Sequence, residues 1–290
     1  MAVLKKKILI LGGTGMLGHT LTKVLERETV HEIYVTMRGS SLEEERSGGD
    51  SSKYLKRLDA KHFKEIENLL VSLNPDLVIN CIGVIKQVDQ LIEKFQTIKL
   101  NSLLPHKIQK VCEDINAKFI HISTDCVFSG KRGNYSEEDF EDCYDLYGRS
   151  KLLGEVGDKR NTITLRTSII GHELRGQVSL LEWFLSQTES CKGFTNAIFS
   201  GFPTVILSRI IKDFLIDAED MFGIYHVSSN PISKYELLKK ISRVYSKEIN
   251  ILKDEELHID RTLNSSLFRD KTDYRPPSWD DMIESMFEFE

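Results

Sequence analysis

Two residues that are four positions apart, Tyr147 and Lys151, could carry out acid–base chemistry in the segment DLYGRSKLLGE. If this segment is helical, both side chains lie on one face of the helix. A lysine ammonium beside a phenol favours the phenolate, and so lowers the phenol pKa from about 10 towards the range of general acid–base catalysis. Such pairs also arise by chance, and on its own the spacing favours an ordinary surface pair.

Further polar side chains lie at the carboxyl ends of predicted strands. Ser123, Thr124 and Asp125 end the apolar segment KFIHIS, and Asn80 ends the segment DLVIN. Open α/β sheets bind ligands at this edge, so these side chains are expected to lie near a site. The long helical pattern between the two strands carries Asn101. Together these polar side chains favour a catalytic Tyr–Lys pair over an ordinary surface pair.

A glycine-rich loop near the N-terminus, in ILILGGTGMLGHTL, predicts a nucleotide site. Gly12 permits a sharp strand-to-helix turn, Gly15 lets the backbone approach a pyrophosphate, and Gly18 lets the helix pack closely on the sheet. Glycine turns also occur for steric reasons alone, but the flanking strand and helix favour the nucleotide site. The predicted cofactor contacts here and after residue 80 are Gly12, Thr14, Gly15, Met16, Leu17, Cys81, Ile82 and Gly83.

The end of the second predicted strand indicates which dinucleotide is bound. Arg38 stands there, in VTMRGSS, where an Asp or Glu usually binds the adenosine ribose. An arginine can pair with a 2′-phosphate, so NADP(H) is expected rather than NAD(H). The alternative is that Arg38 is a solvated loop residue. Asp59, after the third strand, either accepts a bond from the adenine amino group or caps a helix.

Strand-like and helix-like segments alternate over the first 170 residues. The predicted strands are 6–11, 32–37, 54–59, 76–80, 118–123 and 162–167, with helical patterns from residue 16, at 62–73 and at 91–113. The alternation predicts right-handed crossover units and an α/β fold, a doubly wound parallel sheet. Beyond a polar segment at 40–52, which is predicted to be a loop, the pattern loosens near residue 171, where a smaller lobe is expected to begin.

The composition is that of a globular protein and excludes a disordered chain. Its 290 residues are 40% hydrophobic, and 39 Lys and Arg against 44 Asp and Glu give a net charge of −5. This mild acidity argues against a nucleic-acid partner. The apolar stretch at 8–11 is too short for a signal sequence, and no run suits a membrane helix, so a cytoplasmic location without a membrane partner is expected. Five scattered cysteines predict reduced thiols and no metal site.

Several segments, in one order along the chain, resemble motifs of the short-chain dehydrogenase/reductase superfamily. The resemblance is to its extended, nucleotide-sugar-modifying branch, and within it to the dTDP-4-dehydrorhamnose reductase family; the segments are GGTGMLG, VINCIG, STDCVFSG, YGRSKLLGE, LRTSIIG and FSGFPT. It covers nearly the whole chain and implies a Rossmann-type fold. Residues 1–170 would bind NADP(H), with a return segment at about 202–229. A C-terminal substrate lobe would comprise 171–201 and 230–290.

The resemblance also implies a role for each residue of the polar cluster. Tyr147 would exchange a proton with the substrate oxygen, and Thr124 would hydrogen-bond to the same oxygen. Lys151 would bind the nicotinamide ribose and tune Tyr147, while Asn101 would support a water in the proton relay. A capping Thr124 and a structural Asn101 are the alternatives. The implied reaction is NADPH-dependent reduction of the C4 ketone of a nucleotide-diphospho-linked 4-keto-6-deoxy sugar in glycan or polysaccharide synthesis, by an enzyme that can form a homodimer.

Cys126 departs from the family pattern. Related dehydratases have a glutamate there, and a neutral thiol is a poor substitute for that base, which disfavours dehydration. In related epimerase/reductases a cysteine at this place takes part in epimerisation together with a second acid, but His172 follows the strand too early for that role. A C4 epimerase stays open. A space-filling Cys126 is favoured, within a predicted substrate site of Thr124, Cys126 and Tyr147.

Other functions remain open at this stage. One is reduction of a UDP-linked 4-keto-6-deoxy-N-acetylhexosamine, and another is a bifunctional epimerase/reductase. A third is a non-catalytic NADP-binding subunit, because the regulatory subunit of methionine adenosyltransferase is similar to the same family; the filled catalytic positions favour an enzyme. Arg175, Arg209 and Arg261 are candidate contacts for the nucleotide diphosphate on charge alone, with solvated side chains as the alternative.

Overall fold

A seven-stranded parallel sheet forms the centre of the computed structural model, which describes residues 4–37, 54–85, 91–174 and 176–289. The described strands are β1 (Lys7–Leu11), β2 (Glu32–Met37), β3 (Tyr54–Arg57), β4 (Leu77–Asn80), β5 (Lys118–Ile122), β6 (Thr162–Arg166), β7 (Ile169–Ile170), β8 (Ser190–Phe194), β9 (Ala197–Phe199), β10 (Phe202–Pro203), β11 (Gly223–His226), β12 (Ile232–Ser233), β13 (Asn250–Asp254) and β14 (Ile259–Asp260). The central sheet has the order β11-β6-β5-β4-β1-β2-β3. Arg38, Arg175 and the predicted loop at 40–52 lie outside the described residues.

The middle strands are apolar because helices cover both faces of the sheet. The residues at 8–11 of β1 are fully buried, and β1 pairs in parallel with β2 on one side and β4 on the other. Successive side chains of a strand point to opposite faces, so a fully apolar strand needs a helix layer on each. The strand order changes direction at β1 and β4, and ligands of open α/β sheets bind at this point.

The described helices form the two outer layers and the smaller lobe. They are α1 (Met16–Glu28), α2 (Phe63–Leu73), α3 (Leu91–Thr97), α4 (Leu104–Asp114), α5 (Leu146–Leu152), α6 (Leu180–Ser186), α7 (Thr204–Ile210), α8 (Lys234–Val244), α9 (Ser266–Thr272) and α10 (Trp279–Glu288). Apolar faces of α1 and α7 share one core cluster, whereas α2 and α4 share the other. The predicted α/β doubly wound fold is confirmed. Within the described ranges no helix is long and apolar enough to cross a membrane.

The sequence predicts one continuous helix at 91–113, and this prediction is wrong in one respect. A π-helical segment at Ile98–Leu103 separates α3 from α4. Pro105 explains the change, since it has no N–H to donate to the carbonyl of Asn101 four residues earlier and its ring crowds that carbonyl. The wider π turn accommodates the proline and turns Asn101 inward, where it is fully buried. Such single π turns are frequent at functional sites.

The chain after residue 170 contributes to two parts of the structure. In the smaller lobe β8 pairs with β13, and β9 pairs with β12 and β14. The segment at 202–229 instead packs α7 on α1 and adds β11 to the central sheet beside β6. The hydroxyls of Thr20 and Thr204 lie 3.1 Å apart at the α1–α7 contact. The division into a cofactor domain and a substrate domain stays a prediction.

Candidate active site

The loop between β1 and α1 has room for a ligand at one glycine and none at another. A Cβ on Gly18 would lie 2.2 Å from the carbonyl oxygen of Gly12, so α1 approaches the loop as closely as two backbones can. Gly12 has a φ of +88°, which favours glycine. Gly15 is exposed, and a Cβ there would meet only the Gly12 oxygen at 3.4 Å. The open side of the loop is therefore at Gly15.

The first turn of α1 fits a bound pyrophosphate. Gly15 stands at the N-cap without a side chain, and no acidic residue lies in the first turn, so backbone N–H groups and the positive end of the helix dipole face outward. Thr14 and Met16 are half-buried beside this turn, while Leu17 is 4% exposed and its side chain packs in the core. Contacts from Leu17 to a ligand would use its backbone.

The segment after β4 forms the opposite wall of this loop. A Cβ on Gly12 would lie 3.1 Å from Ile82, and the side chain of Asn80 accepts a 3.1 Å hydrogen bond from the Ile82 amide. Cys81 and Gly83 continue the wall, and a Cβ on Gly83 would lie 4.0 Å from Lys151 Nζ. The structure thus brings the loop, the end of β4 and Lys151 to one cleft.

Asp59 lies in a turn that precedes α2. Its carboxylate accepts a 3.0 Å hydrogen bond from the Lys61 amide, and α2 begins at Phe63. Asp59 therefore stabilises the turn and does not occupy the helix cap. Among the described contacts only one of its two carboxylate oxygens is used. That Asp59 accepts a hydrogen bond from the adenine amino group stays a prediction.

Tyr147 and Thr124 meet at the carboxyl edge of β5. The carboxylate of Asp145 caps α5 by accepting a 2.8 Å bond from the Gly148 amide, and this fixes the helix turn that carries Tyr147. Thr124 caps a short 3₁₀ turn at 125–127, accepting a 3.1 Å bond from the Cys126 amide. The Tyr147 phenol lies near the Thr124 hydroxyl, close enough for that hydroxyl to influence the pKa of the phenol. Two side chains that are distant in sequence therefore point at one place.

Burial sets the protonation state of Tyr147. Desolvation raises its pKa well above the usual value, and the nearby Cys126 and Asp125 add to this, while the nearby Thr124 hydroxyl opposes it. The phenol is therefore neutral throughout the physiological range and can donate a proton. A Cβ on Gly148 would lie 2.3 Å from the Cys126 carbonyl oxygen, so only glycine allows this close approach of α5 to the 3₁₀ turn.

Lys151 is buried behind Tyr147 and is held by the strand. Its side chain is 5% exposed, and Nζ donates a 2.6 Å hydrogen bond to the Ile122 carbonyl. Burial lowers the pKa of Lys151 to about 8, and the negative charge of Glu155 opposes this. At pH 7 the ammonium is the predominant form. The predicted lowering of the Tyr147 pKa by Lys151 is wrong for this structure, because desolvation of the buried phenol raises that pKa. The contact of Lys151 with the cofactor stays a prediction.

Asn101 holds the segment that follows β4. Its Oδ1 accepts a 2.8 Å bond from the Val84 amide, and its Nδ2 donates to the Val84 carbonyl at 3.0 Å and to Ser150 Oγ at 3.1 Å. Both amide protons are used, which supports the structural alternative for this side chain. A Cβ on Gly154 would lie 1.9 Å from the Asn101 carbonyl oxygen, so the backbone of the π turn is equally enclosed.

Replacing Asn101 with alanine is expected to destabilise the protein by about 2–3 kcal/mol, because two backbone groups of Val84 lose their partner and each such loss costs about 1–3 kcal/mol. Urea denaturation of both proteins measures the difference. Asn196→Ala is the matched control, since its Nδ2 bonds lie at an exposed site and its loss should cost less than about 1 kcal/mol. Equal losses in the two variants would contradict this role.

Cys126 and Arg261 lie at the mouth of the cleft. Burial and the carboxylate of Asp125 raise the pKa of the Cys126 thiol to about 12, although the charge of Arg261 opposes this. Arg261 Nε donates a 2.8 Å hydrogen bond to the Phe128 carbonyl, so this arginine lies close to the 3₁₀ turn at 125–127. A neutral thiol suits the space-filling interpretation of Cys126.

Two other predicted positions lie away from the cleft. Arg209 Nε donates a 3.2 Å bond to Glu28, the last residue of α1, and its guanidinium lies over the Phe289 ring. The far end of α1 is about 18 Å from the glycine loop, so Arg209 lies far from that loop, and its contact with the substrate's nucleotide diphosphate stays a prediction. His172 lies 2.8 Å from both the carboxylate of Glu182 and the hydroxyl of Tyr245, and is thus engaged within the smaller lobe.

Sequence reasoning missed the charged residues that support the site from behind. Glu155 and Arg166 are both buried and form an ion pair at the ends of α5 and β6. The signal was present, because each belongs to a segment already singled out, YGRSKLLGE and LRTSIIG. Within the described residues no group of three or more His, Cys, Asp or Glu side chains is placed to hold a metal ion.

A parallel sheet with this strand order, a glycine loop at its point of reversal and a Thr–Tyr–Lys group at the next strand end define the class of protein. It is an oxidoreductase of the extended short-chain dehydrogenase/reductase type that uses a nicotinamide dinucleotide. The chain belongs to the RmlD substrate binding domain family, whose model matches residues 6–288.

Characterised relatives span more than one activity. The spore coat polysaccharide biosynthesis protein SpsK of Bacillus subtilis (strain 168) is 28% identical over 85% of this chain and 82% of its own. A dTDP-4-dehydrorhamnose reductase of Aggregatibacter actinomycetemcomitans is 25% identical over 79% and 76%. Methionine adenosyltransferase 2 subunit beta of Xenopus tropicalis is 29% identical over 80% and 70%.

Solved structures agree on the fold. The crystal structure of dTDP-4-dehydrorhamnose reductase from Bacillus anthracis strain Ames in complex with NADP superposes with a TM-score of 0.78. The match covers 98% of this chain and 99% of that one at 21% identity. At this identity the superposition shows the shared fold, and the chemistry has to be argued from the site.

Proposed function

We propose that the protein reduces the C4 ketone of a nucleotide-linked 4-keto-6-deoxy sugar in the synthesis of a glycan or polysaccharide precursor. The observation that carries the proposal is that Tyr147 and Thr124 lie near each other beside the cleft that contains Lys151. Two hydroxyl groups that converge on one point can hold a carbonyl oxygen and supply its proton. The relatives named for polysaccharide synthesis and for dTDP-4-dehydrorhamnose reduction support the substrate class.

The residues of the cleft would divide the work of a ketone reduction. The glycine loop and the first turn of α1 would hold the pyrophosphate, and Lys151 would hold the nicotinamide ribose. The reduced nicotinamide, when bound, supplies the hydride. Thr124 would stabilise the developing negative charge on the C4 oxygen, and Tyr147 would donate its proton to that oxygen.

The protonation state of the site favours reduction over oxidation. Because burial keeps Tyr147 neutral, it is a proton donor as the protein stands, whereas alcohol oxidation would need the phenolate. Lys151, with a pKa of about 8, supplies a positive charge at neutral pH. Because alkaline conditions remove the Lys151 charge, cofactor affinity is expected to fall above about pH 8.

NADP(H) remains the proposed cofactor form. The solved dTDP-4-dehydrorhamnose reductase from Bacillus anthracis holds NADP, which supports the preference inferred from Arg38. Arg38 itself lies outside the described residues. The smaller lobe would hold the nucleotide diphosphate of the substrate, with Arg261 as the candidate contact that lies near the 3₁₀ turn at 125–127.

A non-catalytic role is the second candidate, and the similarity to methionine adenosyltransferase 2 subunit beta favours it. A subunit of that kind would bind the dinucleotide and a partner protein without turnover. The neighbouring Thr124 and Tyr147 support the enzyme, because a partner-binding protein does not need them. Epimerisation has less support, since Cys126 is neutral and His172 is engaged elsewhere.

The test is oxidation of NADPH and of NADH with a panel of dTDP- and UDP-linked 4-keto-6-deoxy sugars, followed by absorbance. Turnover with one sugar and a preference for NADPH are expected. Running the reaction in deuterated water separates reduction from epimerisation, because a simple reduction leaves no deuterium on the carbons beside C4. Tight NADPH binding without turnover of any sugar would contradict the reductase and favour the regulatory role.

A further inference from the structure

A buried ion-pair network lies behind the catalytic residues, and the proposed chemistry does not use it. The guanidinium of Arg166, which is 1% exposed, makes three contacts of 2.7–3.1 Å with the carboxylate of Glu155. It also donates to Glu141, and His226 Nε2 lies 3.3 Å from its Nη1. The side chain of Glu155 is 3% exposed. The charges are thus shielded from water and paired with one another.

Stability alone is a weak reason for such a network. Taking a carboxylate and a guanidinium out of water costs several kcal/mol each, and replacing a buried ion pair by apolar residues of similar volume is often neutral or stabilising. The network lies at the ends of β5, β6 and β11, which is the edge where ligands of this fold bind. Its position therefore points to a role in holding the site.

Glu155 and Lys151 form hydrogen bonds with two consecutive residues at the end of β5, just before Thr124. The Ser123 hydroxyl donates a 2.5 Å hydrogen bond to Glu155 Oε1. Lys151 Nζ donates a 2.6 Å bond to the carbonyl of Ile122. Both Lys151 and Glu155 belong to α5 and the turn after it, so the helix is attached to the end of β5 at two consecutive residues.

Arg166 fixes the direction of the Glu155 carboxylate. Its two-pronged contact leaves Oε1 free to accept from Ser123 as well, and a planar pair of this kind is geometrically strict. The ring of Phe128 covers the guanidinium at 5.4 Å and excludes water. A rigid partner on β6 thus orients the group that ties α5 to β5.

We propose that Glu155 is a positioning residue, which holds α5 against the end of β5 so that Tyr147 stays within reach of Thr124 and Lys151 stays charged and directed at the cofactor. The proposal rests on the proposed function in one respect, that Lys151 binds the nicotinamide dinucleotide. It adds a residue that touches neither cofactor nor substrate.

The charge of Glu155 supports the same role. Burial lowers the pKa of Lys151 to about 8, and Glu155 opposes this. The other titratable groups that face Lys151 are Cys81 after β4 and His121 on β5. Burial raises the pKa of Cys81 to about 12 and lowers that of His121, so both are neutral at pH 7. Among the described residues Glu155 is therefore the charge that keeps Lys151 protonated.

Glu155→Gln tests the proposal through NADPH binding, measured by fluorescence from pH 6 to 9.5 without any sugar. Lys151 is charged below its pKa, and removal of the Glu155 charge lowers that pKa. The alkaline fall in affinity is thus expected to move to lower pH by about one unit. Glu141→Gln is the matched control, because it removes the second carboxylate of Arg166 while Glu155 remains beside Lys151, and its profile should coincide with that of the wild type.

Ser123→Ala tests the mechanical link separately and is a mild change, so it also decides the matter if Glu155→Gln does not fold. It removes one bond to a carboxylate and keeps the charge, so NADPH affinity is expected to fall about tenfold at every pH without moving the profile. Wild-type affinity in Ser123→Ala, or an unmoved profile in folded Glu155→Gln, would overturn the proposal. An absence of turnover with every sugar would contradict the proposed reductase activity but not the role of Glu155, because the binding measurements use only the dinucleotide.

Discussion

Turnover by Tyr147→Phe is expected to fall about 10²- to 10⁴-fold, the range that a positioned general acid contributes, because the phenol is the proton donor to the C4 oxygen. NADPH affinity should change little, since Lys151 keeps its bond to the Ile122 carbonyl and the glycine loop is untouched. Steady-state kinetics with the accepted sugar and fluorescence titration with NADPH measure the two quantities. The loss of the phenol hydroxyl should change the free energy of unfolding by only about 1 kcal/mol.

The matched variant for this experiment is Tyr144→Phe. Its hydroxyl lies three residues earlier on an exposed side chain, so the same chemical change there should leave turnover within about twofold of the wild type. Near-full activity in Tyr147→Phe would exclude Tyr147 as the proton donor. A parallel loss of NADPH affinity would instead indicate that the ring positions the cofactor.

Gly18→Ala is expected to destabilise the protein by about 1–2 kcal/mol and to weaken NADPH binding about tenfold. The new methyl group would lie 2.2 Å from the Gly12 oxygen, and neither backbone can move without opening the loop. Overpacking of this kind costs about 1–3 kcal/mol or more, which exceeds the gain of about 1 kcal/mol from replacing glycine by alanine within a helix. A poorer fit of the loop to the pyrophosphate that costs about 1.4 kcal/mol of binding free energy corresponds to about tenfold in affinity.

Gly15→Ala separates the two effects. Gly15 has ordinary extended dihedrals, φ −74° and ψ 162°, and its Cβ would have a single contact at 3.4 Å, so the unliganded protein should lose at most about 1 kcal/mol. The methyl group would occupy the space of the pyrophosphate, so NADPH affinity should still fall. Denaturation without ligand and fluorescence titration measure the pair. Unchanged NADPH binding in Gly15→Ala would place the pyrophosphate elsewhere.

The parts of the site that the sequence predicts are those in which one residue type has one physical reason. Gly12 and Gly18 are required by a positive φ and by a close backbone approach, and the structure shows both. The strand at 32–37 has its predicted bounds because two faces are buried and polar residues follow. Thr124 is predicted at the ligand-binding edge because parallel strands end together there, whereas Tyr147 is predicted from its spacing to Lys151 and from the family motif.

The rest depends on contacts that a linear pattern does not contain. The π turn at Ile98–Leu103 keeps a helical spacing of apolar residues, so its extra residue is hidden until Pro105 is considered against the carbonyl of Asn101. Arg209 has the charge of a phosphate ligand, but only the packing of α7 on α1 shows that it faces Glu28. Glu155 is invisible as a positioning residue until the ends of β5 and β6 are brought together.

Strand β11 follows β6 in space but comes after the whole segment at 167–222 in the chain. At about 5–20 residues per second, a ribosome would leave β6 as an open edge for roughly 3–10 s before β11 emerges. During that interval the α1 surface that α7 later covers is also bare, and exposed edges of apolar strands recruit other chains. The nascent protein therefore passes through a half-built sheet, in which the residues that line the dinucleotide cleft have already been made while the edge at β6 is still uncovered.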